Sequence, residues 1–163
     1  MAVSPRGWGV AVAVLGLLLD QASKLYLLGP FALGEKGRVA VTPFLDLVLV
    51  WNRGVSYGLL QQDGEAGRWV LVAVGLAGSA LFAWWLWRAD RLLQAVALGL
   101  IIGGALSNVI DRIAYGAVAD FFLLHAGGFE WYVFNLADAW IVAGVVGLLL
   151  AWAVERPEKA TES

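Results

Sequence analysis

Four stretches of this chain stay apolar for roughly twenty residues, the length a helix needs to cross a bilayer core of about 30 Å. They cover 8–28, 69–87, 92–110 and 134–154. Asp20 and Lys24 interrupt the first, and the second carries no charge. Arg91 and Asp111 bound the third, while Asp138 lies near the start of the fourth. Of the 163 residues, 61% are hydrophobic and only 15% are charged, against about 25% charged in an ordinary soluble domain. A domain of this size leaves about a third of its chain surface exposed, so it cannot keep so much apolar surface from water. The expectation is an all-α membrane protein with four transmembrane helices, forming one domain over 1–163. Soluble globular and disordered classes are excluded. A cleaved signal peptide is the alternative for the first stretch, because Arg6 precedes an apolar run to Leu19. No small-residue cleavage site follows, and the run resumes at Leu25, so a retained helix is expected.

Charge and cysteine usage narrow the function. The formal net charge is −2 and no Lys/Arg run occurs, which argues against a nucleic-acid partner. Without cysteine there is no disulfide, thiol nucleophile or Cys-ligated metal. The single histidine, His125, leaves no His-rich metal site. Neither metal nor cofactor is expected, and membrane lipids are the expected surroundings of a monomer.

Sidedness follows from basic residues. Arg6, Arg88, Arg91, Arg156 and Lys159 lie on the side of both termini, close to short connections. Lys36, Arg38, Arg53, Arg68 and Arg112 are spread over much longer connections on the other side. Density therefore places both termini in the cytoplasm. Trp8, Trp69, Trp84, Trp85, Trp87 and Trp152 sit near span ends, as interfacial belts require. The polar tail after Glu155 is expected to fray.

Residues 29–68 are too many for a simple turn. Leu45, Leu47, Leu49 and Trp51 alternate at strand spacing. Residues 39–41 and 56–60 are the candidate partner strands. This predicts a small extracytoplasmic sheet over about 36–62, between helices one and two. A second apolar excursion, over 118–124 and 131–134, occupies the other outer connection.

Because helices alternate in direction, the ends of spans one and three and the start of span four share one side. Those ends hold Asp20, Lys24, Asn108, Asp111, Arg112, Asn135 and Asp138. Ionisable groups at membrane depth are costly and mark function by default. Asn108-x-x-Asp111 and Asn135-x-x-Asp138 repeat one pattern, and i,i+3 spacing lets each Asn lie beside its own Asp. Two aspartates brought close from facing helices cannot both ionise and share a proton. One then acts as base toward a water while the other donates to a carbonyl oxygen. That is aspartic peptidase chemistry.

Structural readings compete at each position. Asp111 beside Arg112 could end a helix at the interface, and Asp138 could anchor two helices by hydrogen bonding. For Asp20 and Lys24 an interfacial i,i+4 couple is the leading reading; for Asp120, a loop anchor. His125 reads as a solvated loop residue. Ser23 and Lys24 are adjacent on a helix and do not face each other, so they make no Ser/Lys dyad.

Taken together, the motifs resemble a family. Asp20-Gln21-Ala22-Ser23-Lys24 resembles the Asp-x-x-Ser/Thr-Lys box of the lipoprotein signal peptidases, signal peptidase II. Asn52-Arg53-Gly54-Val55-Ser56-Tyr57-Gly58 is similar to its Asn-x-Gly-x-Ala/Ser-Phe/Tyr-Gly segment, and the run from Gly103 to Arg112 to its Gly-Gly-Ala-x-Gly-Asn-x-x-Asp-Arg box. Val118-Ala119-Asp120-Phe121 and Phe134-Asn135-Leu136-Ala137-Asp138-Ala139 resemble the last two. Ser107 departs from the usual Gly, and Val55-Ser56 from the commoner small pair. The resemblance implies an aspartic endopeptidase of the bacterial cytoplasmic membrane with its site near the outer face. Its substrate would be a prolipoprotein, cut before a diacylglyceryl-modified cysteine. Carried over by position, Asp111 and Asp138 are the implied dyad. Asn52, Gly54, Asn108, Arg112 and Asn135 would line or hold the site, and Asp20 and Lys24 would brace the first helix against it. Trp51 or Tyr57 could pack on the acyl chains. A small proton-coupled transporter also places acids in membrane helices, but usually at the midplane between repeated halves. A membrane scaffold gives no reason for two Asn-x-x-Asp pairs.

Overall fold

The computed structural model of the protein describes residues 4–54 and 65–155. Its elements run α1 (Pro5–Leu28), α2 (Leu33–Lys36), β1 (Val39–Thr42), β2 (Leu45–Asn52), α3 (Glu65–Leu86), α4 (Leu92–Tyr115), β3 (Val118–Ala126), β4 (Phe129–Glu130) and α5 (Leu136–Glu155). The helices α1, α3, α4 and α5 are each long and apolar enough to cross a membrane. Residues such as Val14, Leu18, Val74, Leu81, Val146 and Leu149 point outward from them, which suits a lipid solvent.

Local chemistry moves the helix ends from their expected positions. Helix α1 begins three residues before Trp8 because Ser4 caps it, its Oγ accepting from the Gly7 amide at 3.2 Å, with Pro5 in the first turn. The expected third span stopped at 110, yet α4 continues to Tyr115. It ends where Gly116, at φ +78°, returns its N–H to the Arg112 carbonyl. Asp111 and Arg112 therefore ride on the helix instead of following it. The second span starts at Glu65 instead of 69 and stops at Leu86. The fourth starts at Leu136 instead of 134, because Asn135 is its cap.

Helix α4 is the hub: 61% of its apolar window is buried, against 17–22% for the other three. Lipid gives helices no hydrophobic reason to associate, so close van der Waals approach through small residues must supply it. A Cβ added at Gly103 would collide with the Ala13 carbonyl oxygen of α1. About 100° round the helix, a Cβ at Gly104 would stand 2.5 Å from the Ala137 carbonyl oxygen of α5. Two adjacent glycines thus let α4 touch the backbones of both neighbours.

The strands form one antiparallel sheet in the order β1-β2-β3-β4. It corrects the expected platform in one respect. The second partner of β2 is β3, from the connection between α4 and α5, so two separate connections build the sheet. The expected strand at 56–60 and Tyr57 lie outside the described residues, as do Val55, Ser56, Arg156 and Lys159. Leu47 stands opposite Phe122, whereas Val50 stands opposite Asp120 and Asn52 opposite Val118, which leaves one extra residue on β2. Residues directly opposite share a face, so this bulge moves Asn52 onto the same face of the sheet as Asp120. It also breaks the expected alternation, sending Trp51 to the face opposite Leu47. Leu27, Leu33, Ala119 and Phe121 form the small core joining the sheet to the end of α1.

Gly103→Ala should cost about 1–3 kcal/mol of stability through overpacking at a backbone contact. Gly78, whose added Cβ meets nothing, should accept Ala within about 0.5 kcal/mol. Thermal melting of the two variants in the same detergent checks the contrast.

Candidate active site

Lys24, 2% exposed, is the most conspicuous buried side chain. One turn of α1 sets it above Asp20, and its Nζ lies 2.6 Å from Asp20 Oδ2 and 2.8 Å from Asp111 Oδ2. Its third proton goes to Asn108 Oδ1 at 3.3 Å. An ammonium has three donors, and here each has an acceptor.

Both partner acids are fully buried and reach onward. Asp20 Oδ1 accepts from the Ala137 amide at 2.9 Å, an N–H in the first turn of α5 that has no partner within the helix. Its Oδ2 also accepts from Ser107 Oγ at 2.6 Å. Asp111 Oδ2 accepts from the Ala119 amide of β3 at 3.1 Å, and its Oδ1 from Gln21 Nε2 at 2.8 Å.

A second layer of amides lies beyond the acids. Asn135 caps α5: its Oδ1 accepts from the Asp138 amide at 2.9 Å, while Asp138 Oδ2 accepts from the Asn135 amide at 3.3 Å. This reciprocal pair is a capping box. Asn135 Nδ2 donates to Asp120 Oδ1 at 2.7 Å and to Asn108 Oδ1 at 3.1 Å. Asn108 Nδ2 donates across to Asp138 Oδ1 at 3.0 Å. Asn52 Nδ2 reaches Asp120 Oδ2 at 3.1 Å, and its own Oδ1 accepts from the Gly54 amide at 3.0 Å. Arg112 donates to the Gly54 carbonyl at 2.9 Å and to the Asn108 carbonyl at 3.3 Å. Its guanidinium acts electrostatically on Asp138, Asp120 and Asp111.

A cavity of about 260 Å³ opens beside this network, with Asn52, Gly54, Asn108, Arg112, Tyr132 and Asp138 on its polar side. Val118, Ile141 and Val142 supply its apolar wall. Asp120 is 1% exposed and meets the cavity through Asn52. Burial, and after it the negative charge of Asp138, pushes the Asp120 carboxyl up to about 7, against the pull of Asn52, Asn135 and Lys24. Among the described residues no group of His, Cys, Asp or Glu is arranged to hold a metal ion.

Every residue expected at the site joins this one network, with different pairings. Asn135 and Asp138 do meet, as a cap and its reciprocal partner instead of neighbours along a helix face. Asn108 bonds Asp138 of the next helix, not its own Asp111. Asp111, expected to pair with Asp138, accepts from Lys24, Gln21 and the Ala119 amide, and like Asp120 it is not among the residues lining the cavity. Asp120, read as a loop anchor, is an acid whose carboxyl is raised by burial and by the charge of Asp138. Its signal was a lone charge inside the apolar run Val118-Ala119-Asp120-Phe121-Phe122. Gln21 and Ser107 carried no signal beyond size and polarity. His125 lies away from the site at the end of β3, with Nε2 3.2 Å from Asp46 Oδ1, and Asp46 also pairs with Arg38.

Four membrane-capable helices, a strand platform and a buried acid–amide network beside a cavity make up the frame of the site. The model of signal peptidase II matches residues 12–154. The lipoprotein signal peptidase of Methylobacterium sp. (strain 4-46) is 54% identical over 154 residues, covering 93% of each chain. That of Methylorubrum extorquens (strain PA1) is 59% identical over 142 residues, covering 87% of this chain and 83% of its own. A solved structure described as a bacterial membrane enzyme shares the fold, with a TM-score of 0.83 at 24% identity over 96% of this chain and 94% of its own. The chain belongs to the signal peptidase II family, and is thereby a membrane peptidase.

Lys24→Met should cost about 3–5 kcal/mol, because Asp20 and Asp111 would remain buried without their counter-ion. Adding Asp111→Asn should recover part of that loss. Melting curves of the single and double variants read the difference.

Proposed function

We propose that this chain removes signal peptides from diacylglyceryl-modified prolipoproteins, cutting before the lipidated cysteine, with Asp120 and Asp138 as its catalytic pair. The observation that carries the pair is Asn135, which hydrogen-bonds both carboxylates while the charge of Asp138 raises the proton affinity of Asp120. Two acids in each other's field hold one proton between them. The ionised member takes a proton from water, whose oxygen attacks the scissile carbonyl carbon. The protonated member donates to the carbonyl oxygen, and the tetrahedral intermediate collapses as a proton passes to the cysteine nitrogen. Arg112 offsets negative charge at the cavity, and Asn108 and Asn52 keep the carboxylates oriented. Asp111, which the motif comparison placed in the pair, is assigned to holding Lys24 and β3.

The frame suits such a substrate. A signal peptide is an apolar helix in the bilayer, and its scissile bond has to unwind near a surface. With both termini in the cytoplasm, the sheet and the cavity lie at the outer face of the bacterial cytoplasmic membrane. There the bond and water can meet. Trp51, half exposed with its ring 5.5 Å from that of Tyr115, offers an aromatic surface to acyl chains. The protein works as a monomer and a single domain, without metal or cofactor.

Asp120→Asn and Asp138→Asn should each lower cleavage of a purified, diacylglyceryl-modified prolipoprotein by at least about a thousandfold, with folding retained. Unlipidated substrate should not be cut, and a chelator should change nothing. Full activity in either variant, read by gel shift, would remove the pair. Activity should also fall as pH rises through about 7, because the proton that one carboxyl must donate is then lost. The expected slope is about tenfold per pH unit.

A further inference from the structure

Tracing the hydrogen bonds around Lys24 closes a ring. Gln21 Nε2 donates to Asp111 Oδ1 at 2.8 Å and to Ser107 Oγ at 2.9 Å, and Ser107 Oγ–H donates to Asp20 Oδ2 at 2.6 Å. Lys24 completes the circuit by bridging Asp20 and Asp111 from the other side. Five side chains from α1 and α4 thus form one loop, in which Lys24 donates to both acids on one side and Gln21 and Ser107 link them on the other. Ser107, Asp20 and Asp111 are fully buried in it.

The free oxygen valences of the ring go to two places. Asp20 holds the amide of Ala137, the residue before Asp138. Asp111 holds the amide of Ala119, the residue before Asp120. Each ring acid therefore grips the backbone one residue upstream of one member of the proposed pair. The separation of Asp120 and Asp138 then depends on the separation of Asp20 and Asp111, which the ring sets.

We infer that Gln21 and Ser107 are positioning residues, closing the ring that holds Asp120 and Asp138 at their working separation. The inference rests on the assignment of that pair. Lys24 ties the two acids through Oδ2 of each. Gln21 adds a hydrogen bond at the other oxygen of Asp111, and Ser107 adds a second donor at Asp20 Oδ2, both short bonds to charged groups, which are the stronger kind. Neither residue lines the cavity, so their loss should disturb the reacting groups and spare substrate binding.

The test uses the full-length protein with lipidated prolipoprotein, comparing Ser107→Ala, Gln21→Met, the double variant and Ser79→Ala. Ser79 is a buried serine of α3 whose hydroxyl bonds the Gly75 carbonyl of its own helix, so its variant measures the loss of a buried hydroxyl elsewhere. Ser107→Ala removes one oxygen and Gln21→Met is nearly isosteric, so both should fold. Each should lower kcat about tenfold with KM within about twofold, as misplacement of reacting groups does. The double variant should lose little more than either single one, since one broken ring cannot break twice. A kcat within about twofold of Ser79→Ala, a rise in KM alone, or a double variant losing the product of the single losses would overturn the inference. Asp120→Asn run alongside separates the two claims: if it is inactive while Ser107→Ala is normal, only the ring falls. If it is active, the pair falls first.

Discussion

A lysine ammonium sealed from water dictates much of this architecture. Removing such a charge from solvent costs several kcal/mol unless every donor finds an acceptor. Lys24 finds three, on α1 and α4, and none of them can move away without leaving the charge exposed to hydrocarbon. Once Asp20 and Asp111 are committed to it, their remaining lone pairs must also be met. They take backbone amides from α5 and β3. One buried cation therefore recruits four elements in sequence, and the sheet is tied to the helices by polar contacts as well as by packing.

The same constraint explains how identical side chains take different roles. Asp20 and Asp111 accept from an ammonium and from backbone N–H groups, which fix the carboxylates in place. Asp120 and Asp138 accept mainly from neutral amides and lie in each other's field. Burial, and after it the charge of Asp138, drives the Asp120 carboxyl up to about 7 against the pull of those amides. Environment, not residue type, divides structural acids from acids able to exchange a proton. The glycines of α4 make this division possible, because only backbone-to-backbone approach puts acids from α1, α4 and α5 at one depth.

Much of this was legible in the chain. The spans stand out because lipid demands long apolar helices, and the acids stand out because lipid penalises them. The side on which Asp20, Asn108, Asp111, Asn135 and Asp138 gather follows from alternation alone. Their partners did not follow, because i,i+3 spacing says which residues could touch, not that Asn135 would be a cap or that Asn108 would reach across to α5. The sheet was half visible. Strand spacing marked β2, but pairing with β3 depends on the two connections meeting in space, and the bulge that turns Asn52 toward Asp120 leaves no local signature. Asp120 was undervalued since a charge in a short apolar strand looks like an anchor. Only its neighbours reveal its electrostatic state.

The cap at the start of α5 also bears on how the molecule is made. Asp20 lies in α1, whereas the amide it holds, at Ala137, belongs to α5 and is made 117 residues later. Synthesis proceeds at about 5–20 residues per second, so Asp20 spends several seconds without its final partner. During that interval α1, α3 and α4 can already pack through their small residues, but the acids have nothing to organise. The buried acid network gains its last backbone partner only when the first turn of α5 docks against α1.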